Sequence, residues 1–119
     1  MEWNVTIDDF QQNVAWLHPW EAVKPGLEVY LKKEVGRGHV LSGVRAISVG
    51  HRVDNDDVLF FLPDSPSPLA VIHLTYSPVT EDNPEYTPDF PWTVLYSSLE
   101  EWAEKCLVPN HLEYQNYAK

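Results

Sequence analysis

The sequence has one cysteine, no long apolar run and a central stretch without basic side chains. The single cysteine, Cys106, has no partner for an internal disulfide, so nothing indicates an oxidised, secreted protein. The chain does not open on a basic segment followed by an apolar one, and no apolar run approaches the ~20 residues that span a bilayer. We therefore expect a soluble, cytoplasmic protein without a membrane partner.

Lys and Arg are absent between Arg52 and Lys105, whereas this window is rich in Asp and Glu. The formal net charge of the whole chain is −10. Nucleic acids and anionic membranes are bound mainly through Lys and Arg, so neither is an expected direct partner. Two interpretations of the acidic window remain open, namely ordinary solubility and a surface that meets a basic protein.

The order of β-rich runs predicts the fold class. A length of 119 residues is typical of one domain, and we expect residues 1–119 to form a single domain. Residues 44–53, 58–62 and 69–76 are three β-rich runs separated by two turn-rich segments, and residues 92–96 would add a fourth strand. The predicted fold is therefore α+β, an antiparallel meander of three to four strands packed by two helices.

The first predicted helix covers residues 25–35. Pro25 stands where a helix typically starts, and Gly36 stands where one typically ends. The apolar residues between them recur at spacings of three and four, which places them on one face. The preceding segment, residues 17–21, contains Pro19 and is predicted to be a bend.

The second predicted helix covers residues 99–107 and follows a capping box formed by Ser98 and Glu101. Its apolar positions include Cys106, which we expect to be an inert core thiol. Pro109 is expected to end this helix, because proline lacks an N–H donor and its ring clashes with the preceding turn.

Alternation within residues 69–76 predicts which face of that strand is covered. The even-numbered residues from Ala70 to Tyr76 should face the first helix, and the odd-numbered ones should meet the N-terminal arm or solvent. For the arm itself, residues 4–8 favour a strand and residues 8–16 favour a helical turn. Both interpretations of the arm remain open.

The Asp54-Asn55-Asp56-Asp57 run is predicted to be a hairpin turn, because Asp and Asn bond their own backbone and tolerate positive φ. Its oxygens could also bind a hard cation, but the run lacks the glycine and the distal Glu of an EF-hand loop. The histidines and Cys106 lack the spacing of a zinc site. We therefore predict neither a metal nor another cofactor.

A small hydrolase that uses a His and a carboxylate as an acid–base pair is the enzymatic alternative. The pairs nearest in sequence are His18 with Glu21 and His51 with Asp54, and His73 is the third candidate histidine. Nothing in their spacing distinguishes these pairs from chance, and the position of His73 within an apolar strand favours a structural role for it. The sequence therefore predicts no catalytic residue and a protein that is not an enzyme.

Residues 77–91 form a long acidic, proline-rich segment that includes Tyr86 and Phe90. Segments of this length in a small domain are often functional. Aromatic anchors surrounded by charge are typical of protein-binding surfaces. The residues predicted to bind a protein partner are Asp54, Asp56, Asp57, Glu81, Asp82, Glu85, Tyr86, Asp89 and Phe90.

Four runs carry a family resemblance, and they are Gly-His-Val-Leu-Ser-Gly-Val-Arg-Ala-Ile, Asp-Asp-Val-Leu-Phe, Ala-Val-Ile-His-Leu-Thr-Tyr and Trp-Thr-Val-Leu-Tyr-Ser-Ser-Leu-Glu-Glu-Trp. In this order they resemble a group of small uncharacterised bacterial proteins. The resemblance covers residues 33 to 107 and implies no particular chemistry.

In size, acidity and lack of a catalytic constellation, the chain is also similar to the immunity proteins of bacterial toxin systems, including contact-dependent growth inhibition. This similarity is one of class and carries over no individual site residue. It implies a protein that binds and neutralises a basic toxin domain, such as a ribonuclease, by occluding its active site. The expected partner is therefore a basic protein, the cognate toxin, and not nucleic acid.

Overall fold

A computed structural model of the chain describes residues 16–35, 39–74 and 92–117. In these residues five strands form one antiparallel sheet in the order β1-β2-β3-β4-β5. The α+β class and the meander are confirmed, with five strands where three to four were predicted. The strands are β1 (Trp20–Ala22), β2 (Ile47–Arg52), β3 (Asp57–Phe61), β4 (Leu69–His73) and β5 (Thr93–Tyr96).

Helices occur in the two predicted places. The first, α1, covers Glu28–Glu34 and connects β1 to β2. After β5 the chain forms one continuous helical region, which consists of α2 (Leu99–Trp102), a π-helical segment (Ala103–Leu107) and α3 (Val108–Tyr117). Ser98 caps α2 as predicted, because its side chain accepts a hydrogen bond of 3.0 Å from the Glu101 N–H.

Both faces of the sheet are covered. Successive side chains of β3 and β4 point to opposite faces, and the apolar ones occur on both faces. The even-numbered residues of β4 belong to the cluster that contains Leu31 of α1, so the predicted orientation of this strand is confirmed as far as Leu74. The odd-numbered residues Leu69 and Val71 pack with the C-terminal helical region and with Trp16 and Leu17. The sheet is therefore a central layer between α1 and the C-terminal helical region.

Three tryptophans pack together on the face of the sheet that the C-terminal helical region covers. They bring the first and last described parts of the chain into contact. The Trp102 ring lies edge-on to Trp20 and Trp16, with centroids 5.5 Å and 5.7 Å away. The buried Trp20 indole donates a hydrogen bond of 2.9 Å to Asn110 Oδ1. A register shift between Ser48 and Gly50 forms a bulge in β2.

The first strand was not predicted, since only a bend was expected over residues 17–21. The bend exists at the cis His18–Pro19 bond, but Trp20 continues directly into β1 and pairs with Arg52. A strand of three residues is too short to show an alternating pattern. Its existence therefore depends on the partner strand β2, which lies about thirty residues further along the chain.

The prediction that Pro109 ends the last helix is wrong. Directly before it, the Val108 N–H bonds to the Ala103 carbonyl, five residues earlier, in the π-helical segment. A π turn shifts the backbone bonds by one residue, which accommodates a residue without an N–H. The first helix also begins later than predicted, because residues 25–27 form a turn in which Gly26 has a φ of 142°.

Candidate functional site

The acidic turn between β2 and β3 is the described part of the predicted partner-binding surface. Its turn conformation is confirmed, although Asp57 is already the first residue of β3. The Asn55 side-chain oxygen accepts a hydrogen bond of 2.8 Å from the Asp57 N–H. Sequence reasoning therefore located this turn to within one residue.

Asp54 is held by the last residue of β2. Arg52 donates two hydrogen bonds of 2.8 Å, from Nε to Oδ1 and from Nη2 to Oδ2 of Asp54. These bonds hold the pKa of the Asp54 carboxyl below its usual value. Asp54 is thus an acidic residue whose charge is compensated locally.

Asp57 lies beside a histidine on the neighbouring strand. Register places Asp57 of β3 opposite His73 of β4, and His73 Nδ1 lies 2.8 Å from Asp57 Oδ1. The His73 side chain is 48% exposed, so the pair is accessible from solvent. This His–carboxylate pair was not among the sequence-near pairs, because its partners are sixteen residues apart and meet only through strand pairing.

Asp56 differs from Asp54 and Asp57 in having an exposed carboxylate that joins no ion pair within the described residues. The ion pairs in residues 16–35, 39–74 and 92–117 join Arg52 to Asp54, His73 to Asp57 and Lys105 to Glu101. Asp56 belongs to none of them. Its side chain is therefore the one of the three turn carboxylates that is left to meet an external cation.

The turn is connected to the point where the chain enters residues 75–91. The Leu74 N–H donates a hydrogen bond of 3.2 Å to the Asp56 carbonyl, and the His73 N–H donates one of 3.0 Å to the Trp92 carbonyl. Leu74 and Trp92, which precede and follow the acidic segment, are thus both at the end of the sheet that carries the turn. The remaining predicted partner-binding residues lie outside the described residues, and they are Glu81, Asp82, Glu85, Tyr86, Asp89 and Phe90.

A groove between α1 and the segment that leads into β2 was missed by sequence reasoning. Its volume is about 660 Å³, and its walls include the cationic side chains Lys32 and Arg45. No histidine lines this groove, so it does not contain the His–carboxylate pair. The sequence pattern contained no signal for this groove, because Lys32 lies on a helix and Arg45 lies in a connection, thirteen residues later in the chain.

Glu28, at the base of the same groove, is used for structure. Its Oε1 accepts hydrogen bonds from the Gly26 and Ser48 N–H groups and from the Ser48 hydroxyl, at 2.9, 3.1 and 3.2 Å. Burial acts to raise the pKa of this carboxyl, but these hydrogen bonds outweigh burial and lower it. Glu28 therefore fastens the start of α1 to β2.

Cys106 is in the core, as predicted. Burial raises the pKa of its thiol to about 11, and burial likewise raises the pKa of the neighbouring Tyr96 to about 12. At neutral pH both groups remain protonated, so the thiol is a poor nucleophile. Across the described part of the chain, no group of three or more His, Cys, Asp and Glu side chains is arranged to hold a metal ion.

The chain was compared with known families, curated proteins and solved structures. None of the three comparisons gave a match. Function must therefore be argued from the residues of this chain. Within the described residues, no helix combines the length and apolar character needed to cross a membrane.

Proposed function

We propose that this chain is a cytoplasmic immunity protein that binds a basic toxin domain, such as a ribonuclease, and neutralises it by occluding its active site. The contact surface consists of the turn carboxylates and the acidic aromatic segment 77–91. In this proposal the protein is a binding partner and performs no reaction of its own.

The observation that supports the proposal most directly is the hydrogen bond from the Leu74 N–H to the Asp56 carbonyl. It fixes the acidic turn beside the point where the chain enters the acidic segment. The proposal joins two regions, the turn around Asp56 and the segment around Asp82, which lies twenty-six residues further along the chain. A surface of this kind needs both regions, because a protein interface is larger than a single turn.

Carboxylates on such a surface would take the place of the phosphates that a nuclease binds. An acidic protein with a net charge of −10 attracts a basic domain over a distance, which accelerates encounter and fixes the orientation of the complex. Asp56 can contribute directly, because its carboxylate is exposed and joins none of the ion pairs that the described residues form. Tyr86 and Phe90 would supply the apolar anchors that long-range charge alone does not provide.

The test uses the protein encoded by the reading frame adjacent to the gene. Its basic C-terminal domain should arrest bacterial growth when expressed alone, and co-expression of this chain should restore growth. The purified pair should form a 1:1 complex in which RNA cleavage stops. Growth arrest that persists despite full expression of the folded chain would reject the proposal.

The pairing of His73 with Asp57 favours a hydrolase as the second candidate function. A neutral imidazole oriented by a carboxylate can act as a general base, and half of the His73 side chain is open to solvent. In a hydrolase, His73→Ala would remove activity on the substrate. In an immunity protein, the same substitution would leave toxin neutralisation intact apart from a local change in the contact surface.

A further inference from the structure

We propose that the groove between α1 and the connection before β2 binds an organic anion with a nonpolar body, such as a medium-chain carboxylate. None of the described residues that line the groove belongs to the acidic surface proposed above, and this inference does not depend on the immunity function. Its volume of about 660 Å³ lies within the range of ~300–1,000 Å³ that is common for small-molecule sites.

The floor of the groove is apolar. It is formed by Leu31 and Val35 of the helical side and by Val44, Ala46 and Ile47 of the connection. Leu31 is buried, and the other four are partly exposed towards the groove. A hydrocarbon chain lying on this floor would remove apolar surface from water on both partners.

Two cations line the same groove, and neither forms an ion pair with a carboxylate of the described residues. Lys32 and Arg45 are exposed, and the ion pairs of the described residues are all formed by other side chains. Glu28 also lines the groove, but its Oε1 already accepts three hydrogen bonds from Gly26 and Ser48. The charge at the rim therefore favours an anionic head group, which Lys and Arg bind through charge-assisted hydrogen bonds.

The position of these cations in an acidic protein makes the site selective. A net charge of −10 repels small anions from most of the surface, and six of the eight Lys and Arg residues occur at or before Arg52. A neutral amphiphile would gain only the apolar contact, and a cationic one would meet Lys32 and Arg45 with like charge. Affinity should therefore follow the head group in the order anion, neutral, cation.

The test is isothermal titration calorimetry of the full chain with sodium decanoate below its micelle concentration. Decanol and decyltrimethylammonium serve as probes with matched chains, and they are titrated under the same conditions. Saturable 1:1 binding of decanoate, with weaker binding of decanol and the weakest of decyltrimethylammonium, is the expected result. Absence of saturable decanoate binding, or equal binding of the three probes, would overturn the proposal.

Two double variants distinguish the effect of Lys32 and Arg45 on binding from the effect of the net charge of the protein. Lys32→Gln with Arg45→Gln should weaken decanoate binding about tenfold or more, which corresponds to ~1.4 kcal/mol. The matched control, Lys24→Gln with Lys33→Gln, removes the same net charge from exposed residues that do not line the groove, and it should bind like the wild-type chain. Equal weakening in both variants would reject the groove. The comparison of the three probes on the unmodified chain decides the question even if a variant does not fold.

Discussion

The backbone carbonyl of Asp56 accepts a hydrogen bond from the Leu74 N–H at a distance of 3.2 Å. This contact links the acidic β2–β3 turn to the residue after which the acidic segment begins. The turn and Leu74, the last described residue before the acidic segment, are therefore neighbours at one end of the sheet. The proposed toxin-binding surface depends on that adjacency.

The hydrogen bonds by which Glu28 holds α1 against β2 predict that the protein loses stability as the pH falls. Hydrogen bonds lower the pKa of Glu28 in the folded state relative to its usual value of 4.5. Its contribution is therefore present above pH ~4.5 and disappears as the pH falls through the folded-state pKa. Glu28→Gln should lower the free energy of unfolding at pH 7 by about 1–2 kcal/mol. This value is smaller than that of hydrogen bonds to a fully buried charge, because Glu28 is partly exposed.

Urea unfolding at pH 7 and pH 3 measures this contribution. The difference between wild type and Glu28→Gln should be largest at pH 7 and should shrink at pH 3. Glu113→Gln, at an exposed position on α3, is the control and should leave stability unchanged at both values. If Glu28→Gln were less stable than wild type by the same amount at pH 3 as at pH 7, the loss of the carboxylate charge would not be the cause.

A second prediction concerns the bond that joins the two ends of the described chain. Trp20 is fully buried, and its indole N–H is satisfied by Asn110 Oδ1. Asn110→Ala leaves that donor without a partner and should reduce the free energy of unfolding by about 1–3 kcal/mol. Asn110→Asp retains an oxygen acceptor and should lose less. Denaturant titration gives both values, and an Asn110→Ala variant as stable as wild type would disprove the assigned role of this bond.

A third prediction follows from the close approach of Trp16 to the bulge in β2. A Cβ added at Gly50 would lie less than 3.0 Å from the Trp16 ring. Gly50→Ala should therefore lower the free energy of unfolding by about 1–3 kcal/mol, as expected for overpacking. In a Trp16→Ala background the same substitution should be close to neutral. A double-mutant cycle of the two changes measures this coupling, and additive losses would contradict it.

The sequence predicted those parts of the fold whose signal is local. The runs that became β2, β3 and β4 alternate or are continuously apolar, and strong turn residues such as Asp54 and Asn55 separate them. The cap at Ser98 is equally local and was located correctly, although the Glu101 carboxylate accepts hydrogen bonds from Ser97 and not from the Ser98 N–H. The alternation in β4 also predicted that its even-numbered face meets α1, whereas the packing of Leu69 and Val71 against the C-terminal helical region was not predicted.

The parts that could not be predicted depend on partners far along the chain. Asn110 is separated from Trp20 by ninety residues, and no periodicity signals that the two will meet. Pro109 is a strong helix-breaking signal, and only the π-helical segment before it shows why the helix continues. The groove likewise requires the side chains of Lys32 and Arg45 to be brought together by tertiary structure.

For the site, sequence reasoning identified the acidic turn but not the state of its carboxylates. The sequence showed that basic residues are absent between Arg52 and Lys105, yet Arg52 itself reaches forward to Asp54. The negative charge of the turn is therefore smaller than a count of Asp residues suggests. Asp56 becomes the most informative position at which to test the proposed surface.

The central claim is tested most directly by the association rate of the chain with the basic domain of the adjacent toxin. Stopped-flow measurements at low and high salt would compare Asp56→Lys with Asp64→Lys, an equal charge reversal at an exposed position between β3 and β4, at the opposite end of the sheet.

Asp56→Lys should slow association by about three- to tenfold at low salt, since electrostatic steering acts mainly on the association rate, and the effect should diminish as salt rises. Reversal of Asp82, Glu85 and Asp89 to Lys should slow association further and remove its salt dependence. Asp64→Lys should have a much smaller effect. Equal rates for wild type, Asp56→Lys and the triple variant would contradict the proposed surface.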